Sequence, residues 1–136
     1  MLKPDELARV SLFKGLPEKE LKAIASEMKE VSHSAGQQVA IEGKSGVAFS
    51  VILDGEAEVT TVDGRTRRLK AGDHFGEMGL LEGEARSADI TAVSDLRLAA
   101  LVEWGFKQFL AAHPEVSFRL LQTLSRRLRE VEAAHR

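Results

Sequence analysis

The stretch GDHFGEMGLLEGEARSADITA, Gly72 to Ala92, sets an acid, Glu77, and a base, Arg86, among Gly, Leu, Met, Phe and Ala. That is the composition of a partly buried loop, where a charge needs a partner. Either the two side chains neutralise one another, or they face a small ligand with hydroxyls at one end and an anion at the other. Arg offers a planar fork of donors for phosphate oxygens, and a carboxylate accepts from paired ribose hydroxyls. Gly76 and Gly79 allow a close backbone approach, and Glu77 to Leu81 can form one helical turn whose amides face an anion. The stretch reads as a cradle for a sugar phosphate.

The pattern G-E-x-G-L at Gly76–Leu80, a short loop, and then R-S-A at Arg86–Ala88 resembles the phosphate binding cassette of cyclic nucleotide-binding domains. The family includes the catabolite activator protein, cAMP-dependent protein kinase regulatory subunits and cyclic nucleotide-gated channels. The resemblance implies that Glu77 accepts from the ribose 2′-hydroxyl and Arg86 pairs with the exocyclic phosphate oxygens. It gives backbone groups around Gly76, Met78, Ser87 and Ala88 the rest of the shell, with Gly79 in the turn. Serine at position 87, where threonine accompanies cGMP preference in the family, implies cAMP ahead of cGMP. Bacterial activators contact adenine through adjacent hydroxyl residues of the last helix, and the matching positions here are Val131 and Glu132. The base is left to an apolar cap from Leu128 or Val131, or to Arg127 or Arg129 stacking on it.

A chain of 136 residues with 43% hydrophobic residues suits one domain, and a net charge of −2 draws it neither to nucleic acid nor to an acidic membrane. It has no cysteine, which excludes disulfides, thiol catalysis and cysteine-held iron–sulfur clusters. Neither a signal peptide nor an apolar run of ~20 residues is visible, so a cytoplasmic location is expected.

From Val31 to Val102, turn signals recur between β-branched runs, the texture of an all-β sandwich or barrel. Expected strands are Val31–Ser34, Gln38–Ile41, Ala48–Leu53, Ala57–Val62, Thr66–Lys70, Ser87–Ala92 and Leu96–Leu101. Asp54-Gly55 and Asp63-Gly64 read as two-residue hairpins, and alternation turns Ala57 and Val59 inward. By the same period Leu69 and Arg67 face inward, Arg67 as an end-of-strand side chain reaching water or as a pocket residue. Val59 and Arg67 are candidate neighbours of the base. The expected class is α+β, mainly β: an antiparallel jelly roll flanked by N-terminal and C-terminal helices, with the cassette at 75–88.

Helical spacing marks Pro4–Val10 and Pro17–Met28, with Phe13 and Leu16 anchoring the connection between them, so residues 1–30 form the N-terminal helices. Residues 103–136 form the C-terminal ones: Glu103–Ala112, then Pro114 to about Ala134. In the last, Leu121, Leu124, Leu128 and Val131 make a narrow seam beside Leu120, suited to a lid over the roll or to pairing with a second copy. The basic run Ser125–Arg129 reads as the solvated face of a helix C-terminus. Transcription factors of the related family continue into a helix-turn-helix; the chain stops at Arg136, so no direct nucleic-acid reading is expected. A metal-dependent jelly-roll enzyme needs histidines converging from neighbouring strands. His33 and His74 stand alone and His113 and His135 lie at or beyond helix ends, so no metal, cofactor or catalysis is expected. The remaining alternative is a structural or oligomerisation module that keeps the fold without responding to a nucleotide.

Overall fold

Pro4 and the acids Asp5 and Glu6 open α1 (Pro4–Leu7), where a proline and negative charge suit a helix start. A 3-10 turn (Ser11–Phe13) and α2 (Glu18–Glu27) follow. The computed structural model describes residues 2–40, 49–61, 64–76, 88–101 and 103–134. Its strands are β1 (Lys29–His33), β2 (Gln38–Ala40), β3 (Phe49–Asp54), β4 (Glu56–Thr61), β5 (Thr66–Lys70), β6 (His74–Phe75), β7 (Ala88–Ala92) and β8 (Leu96–Leu101). Two helices close the chain, α3 (Glu103–Ala112) and α4 (Pro114–Ala134).

Among the described residues the strands form two four-stranded sheets, ordered β1-β8-β3-β6 and β2-β7-β4-β5, antiparallel throughout. This is the expected jelly roll with flanking helices. The inner strands of the first sheet, β3 and β8, are covered on both faces. From β3 and β8, Phe49, Val51, Ala99 and Leu101 pack against the helices, while Ile52, Leu96 and Leu98 point into the roll. Such two-sided burial makes Phe49–Ile52 continuously buried, whereas β4 alternates with Ala57 and Val59 inward, as expected.

The helices of both termini form one layer. Leu7, Val10, Phe13 and Ile24 share a core with Phe106, Phe109, Val116 and Leu120. Arg119 on α4 donates to the carbonyls of Leu12 and Lys14, binding the last helix to the 3-10 turn. Arg97 on β8 reaches Glu6 of α1 at 3.1 Å, Glu30 of β1 at 3.1 Å and Asp54 of β3 at 2.7 Å. Hydrogen bonds from Arg97 hold the Glu30 carboxyl below its ordinary pKa, and the three acids push the guanidinium higher still.

The structure corrects the sequence reading in several places. Asp54-Gly55 is not a hairpin: β3 and β4 lie in different sheets, and the chain changes sheets there. Gly55 has φ +96°, and a Cβ on it would stand 2.2 Å from the Asp95 carbonyl oxygen. Glu56 N–H donates to Ser94 Oγ at 3.0 Å, so the corner is built against the β7–β8 turn. β4 and β5 pair antiparallel, with Thr60 opposite Thr66, and Asp63 of the second expected hairpin lies outside the described residues. The first helix ends at Leu7 rather than Val10. β1 starts at Lys29 because Lys29 and Glu30 pair with Ala100 and Ala99 of β8. β6, unexpected within the cassette stretch, exists because Phe75 and His74 pair with Ser50 and Val51.

Gly55→Ala combines a left-handed backbone with a backbone clash, and is expected to cost about 2–4 kcal/mol. Urea denaturation measures it, with Gly64→Ala, which meets nothing within 4 Å, as the milder control.

Candidate functional site

The cassette leaves one sheet and arrives in the other. Phe75 ends β6 in the first sheet, Gly76 follows at φ +95°, and Ala88 is the first residue of β7 in the second. Residues 77–87 therefore link a strand of one sheet to a strand of the other. Glu77, Met78, Gly79, Arg86 and Ser87 lie outside the described residues.

What frames that connection is described. Ala88 is opposite Thr61, and Ile90 is opposite Val59, which in turn faces Arg67 across β4–β5. Ile90 and Val59 are buried and floor the roll with Leu69 and Ala57. Register puts Arg67 on their side of the sheet, but it is exposed, not inward. The inner face is dry from Leu69 to Val59 and opens beyond it, so the guanidinium takes the wet end of the row. Gly76, Ala88, Val59 and Arg67 thus belong to the two strand ends and one sheet face around the connection. Arg127 stands on α4, half-buried.

Side chains alternate along β6. Phe75 joins the core of the roll, whereas His74, opposite Val51, turns to the helical layer and rests against Phe49, ring centres 5.9 Å apart. Phe49 in turn stacks on Phe106 of α3 at 5.1 Å. His74 is thus a packing residue of the strand that leads into the cassette. His33 sits at the end of β1 on a different edge of the sheet, and among the described residues no three His, Cys, Asp or Glu converge as a metal site.

Sequence reasoning passed over Ser50. It is buried at 4% exposure on the roll-facing side of β3 and pairs with Phe75 beside Gly76. A lone hydroxyl in the apolar run Phe49–Leu53 was the available signal. It also gave His113 no role, although that ring stands between two glutamates, Glu20 and Glu27, each at 2.9 Å.

Residues 30–113 match the family model of the cyclic nucleotide-binding domain. The chain belongs to that family, a class of regulatory ligand-binding domains. It is 34% identical over 115 residues to a cAMP-dependent protein kinase regulatory subunit of Aspergillus niger, covering 83% of this chain and 28% of that protein. It is 28% identical over 128 residues to a CRP-like cAMP-activated global transcriptional regulator of Mycobacterium tuberculosis, covering 90% of this chain and 57% of that one. Its fold superposes on the Thermus thermophilus catabolite activator protein with a TM-score of 0.81 at 31% identity, over 90% of this chain and 60% of that structure. The chain therefore spans roughly a quarter to a little over half the length of these curated relatives. Among the described residues no helix is long and apolar enough to cross a membrane.

Proposed function

We propose that this chain is a non-catalytic cytoplasmic sensor that binds a cyclic nucleotide, cAMP in preference to cGMP, at the connection between β6 and β7. The observation that carries the reading is that Gly76-Glu77 and Arg86-Ser87-Ala88, both charges present at the family's spacing, fall on the stretch of chain that links β6 of one sheet to β7 of the other. The names of the relatives, cAMP-dependent and cAMP-activated, support the choice of ligand. In this reading Glu77 takes the ribose hydroxyl and Arg86 the phosphate. Backbone groups of Gly76, Met78, Gly79, Ser87 and Ala88 close the shell, and Val59 and Arg67 lie on the base side. Arg127 on α4 is the candidate stacking partner for the base.

Output passes through α4. A ligand that bridges the cassette and the last helix favours the conformer in which both touch it, and moves the helix accordingly. Of the two uses of the α4 seam, pairing with a second copy has the better support. Val116 and Leu120 face the core and Leu124 packs against it, whereas Phe118, Leu121, Leu128 and Val131 are more than half exposed. An open groove of about 550 Å³ runs beside them, lined by Leu121, Gln122, Ser125, Arg126 and Arg129. Exposed apolar side chains at three- and four-residue spacing suit a helix–helix contact.

Calorimetry with cAMP and cGMP tests the ligand: binding of cAMP is expected to be the tighter, and no heat with either leaves a nucleotide-independent oligomerisation module. A charge-assisted contact contributes ~1.5–3 kcal/mol, so Arg86→Ala is expected to weaken cAMP binding by roughly one to two powers of ten. Unchanged affinity places the anion elsewhere. For the helix, sedimentation is expected to show a dimer that Leu121→Glu with Leu128→Glu converts to monomer; a wild-type monomer discards the pairing.

A further inference from the structure

His113 is the residue between α3 and α4, at the start of the helix assigned above to output. Its side chain is 5% exposed, and both ring nitrogens meet carboxylates of a third helix: Nδ1 lies 2.9 Å from Glu20 and Nε2 2.9 Å from Glu27. Glu20 and Glu27 are seven residues apart, two turns along one face of α2. A neutral imidazole has one N–H and one lone pair, so it can satisfy only one of two ionised carboxylates and must turn its lone pair toward the other. Only the imidazolium donates to both. The bracket around His113 is therefore built for the protonated ring.

The His113 ring lies 4.8 Å from that of Phe109 of α3, which packs on Phe13 and Phe49. From α4, Ser117 Oγ and N–H donate to the His113 carbonyl, and from α2 the buried Ile24 lies between the two glutamates. Among the described residues Glu20 and Glu27 are the charged groups acting on the ring. Burial lowers the affinity of the ring for its second proton, but the two carboxylates outweigh it and the pKa is raised above the ordinary value.

We propose that His113, Glu20 and Glu27 form a proton-dependent latch, which holds the α3–α4 junction on α2 while the ring carries both protons and frees the start of α4 when one is lost. Because the folded protein holds the proton more tightly than the unfolded chain, the latch acts in full below the ordinary histidine pKa of about 6.5. It is lost as pH rises through the raised value. Each unit by which the pKa is raised corresponds to about a tenfold change in the closing equilibrium.

The test is made on the nucleotide-free protein, so its failure is distinct from failure of the cyclic-nucleotide reading. Ring nitrogen shifts, assigned to His113 by their loss in His113→Gln, are expected to titrate above about 6.5. Hydrogen exchange of amides 113–120, corrected for its intrinsic pH dependence, is expected to accelerate through the same midpoint while the amides of β3 and β8 do not. Glu20→Gln with Glu27→Gln keeps the ring buried and removes the carboxylates. It is expected to bring the titration of the remaining imidazole below about 6.5 and to leave exchange at 113–120 flat across the former midpoint. This pair serves equally if His113→Gln does not fold. Titration at or below about 6.5 in the wild type, or protection of 113–120 unchanged through the midpoint, overturns the latch.

Discussion

β3 and β8 are pressed between two apolar layers, and most of the molecule follows from that. On each strand one set of alternate side chains enters the helical core and the other enters the roll. Burial on both faces leaves no freedom to slip by one residue, since a slip would send Phe49, Val51, Ala99 and Leu101 into the roll and draw Ile52, Leu96 and Leu98 out of it. β6 is held on the same sheet by its pairing with β3. The strand that leads into the cassette thus shares its partner with the helices that carry the C-terminus, and a packed interior transmits displacement because it has little void to absorb it.

Among the cations that tie the helices to the sheet or to one another, Arg97 and His113 differ in kind. Arg97 gathers Glu6, Glu30 and Asp54 and keeps its charge at any ordinary pH, so α1 is bound permanently to the sheet. His113 gathers Glu20 and Glu27 through a ring that titrates. The fixed contact sits where β1, β3 and β8 meet, and the titratable one sits at the junction where α4 begins. The N-terminal helices are thereby anchored to the sheet at one end and to the start of α4 at the other.

The roll supplies an apolar floor of Val59, Leu69 and Ile90, and the sequence between β6 and β7 carries the Glu77 and Arg86 of the family motif. Rigid strands on either side of a Gly-containing connection are the usual way a scaffold presents a small polar ligand to a few groups. The last helix carries one buried and one uncovered apolar face.

The family was legible in the sequence because the motif that carries the resemblance is local: Gly76, Glu77, Arg86 and Ser87 lie within a dozen positions of one another. So were the inward alternation of Ala57 and Val59 and the two C-terminal helices, since period and proline placement are also local. What only the tertiary structure decided depends on residues far apart in the chain. The turn dipeptide Asp54-Gly55 has the same left-handed glycine whether it closes a hairpin or changes sheets, and the choice was made by the Ser94–Asp95 turn packed against it. Two residues, His74 and Phe75, became a strand because β3 offered them partners. The period that placed Arg67 with Leu69 was right about the face, but where that face meets water is set by the roll as a whole. His113 acquired its two carboxylates from positions 93 and 86 residues earlier, a meeting that no local pattern encodes because only the packing of α2 on the α3–α4 junction brings it about.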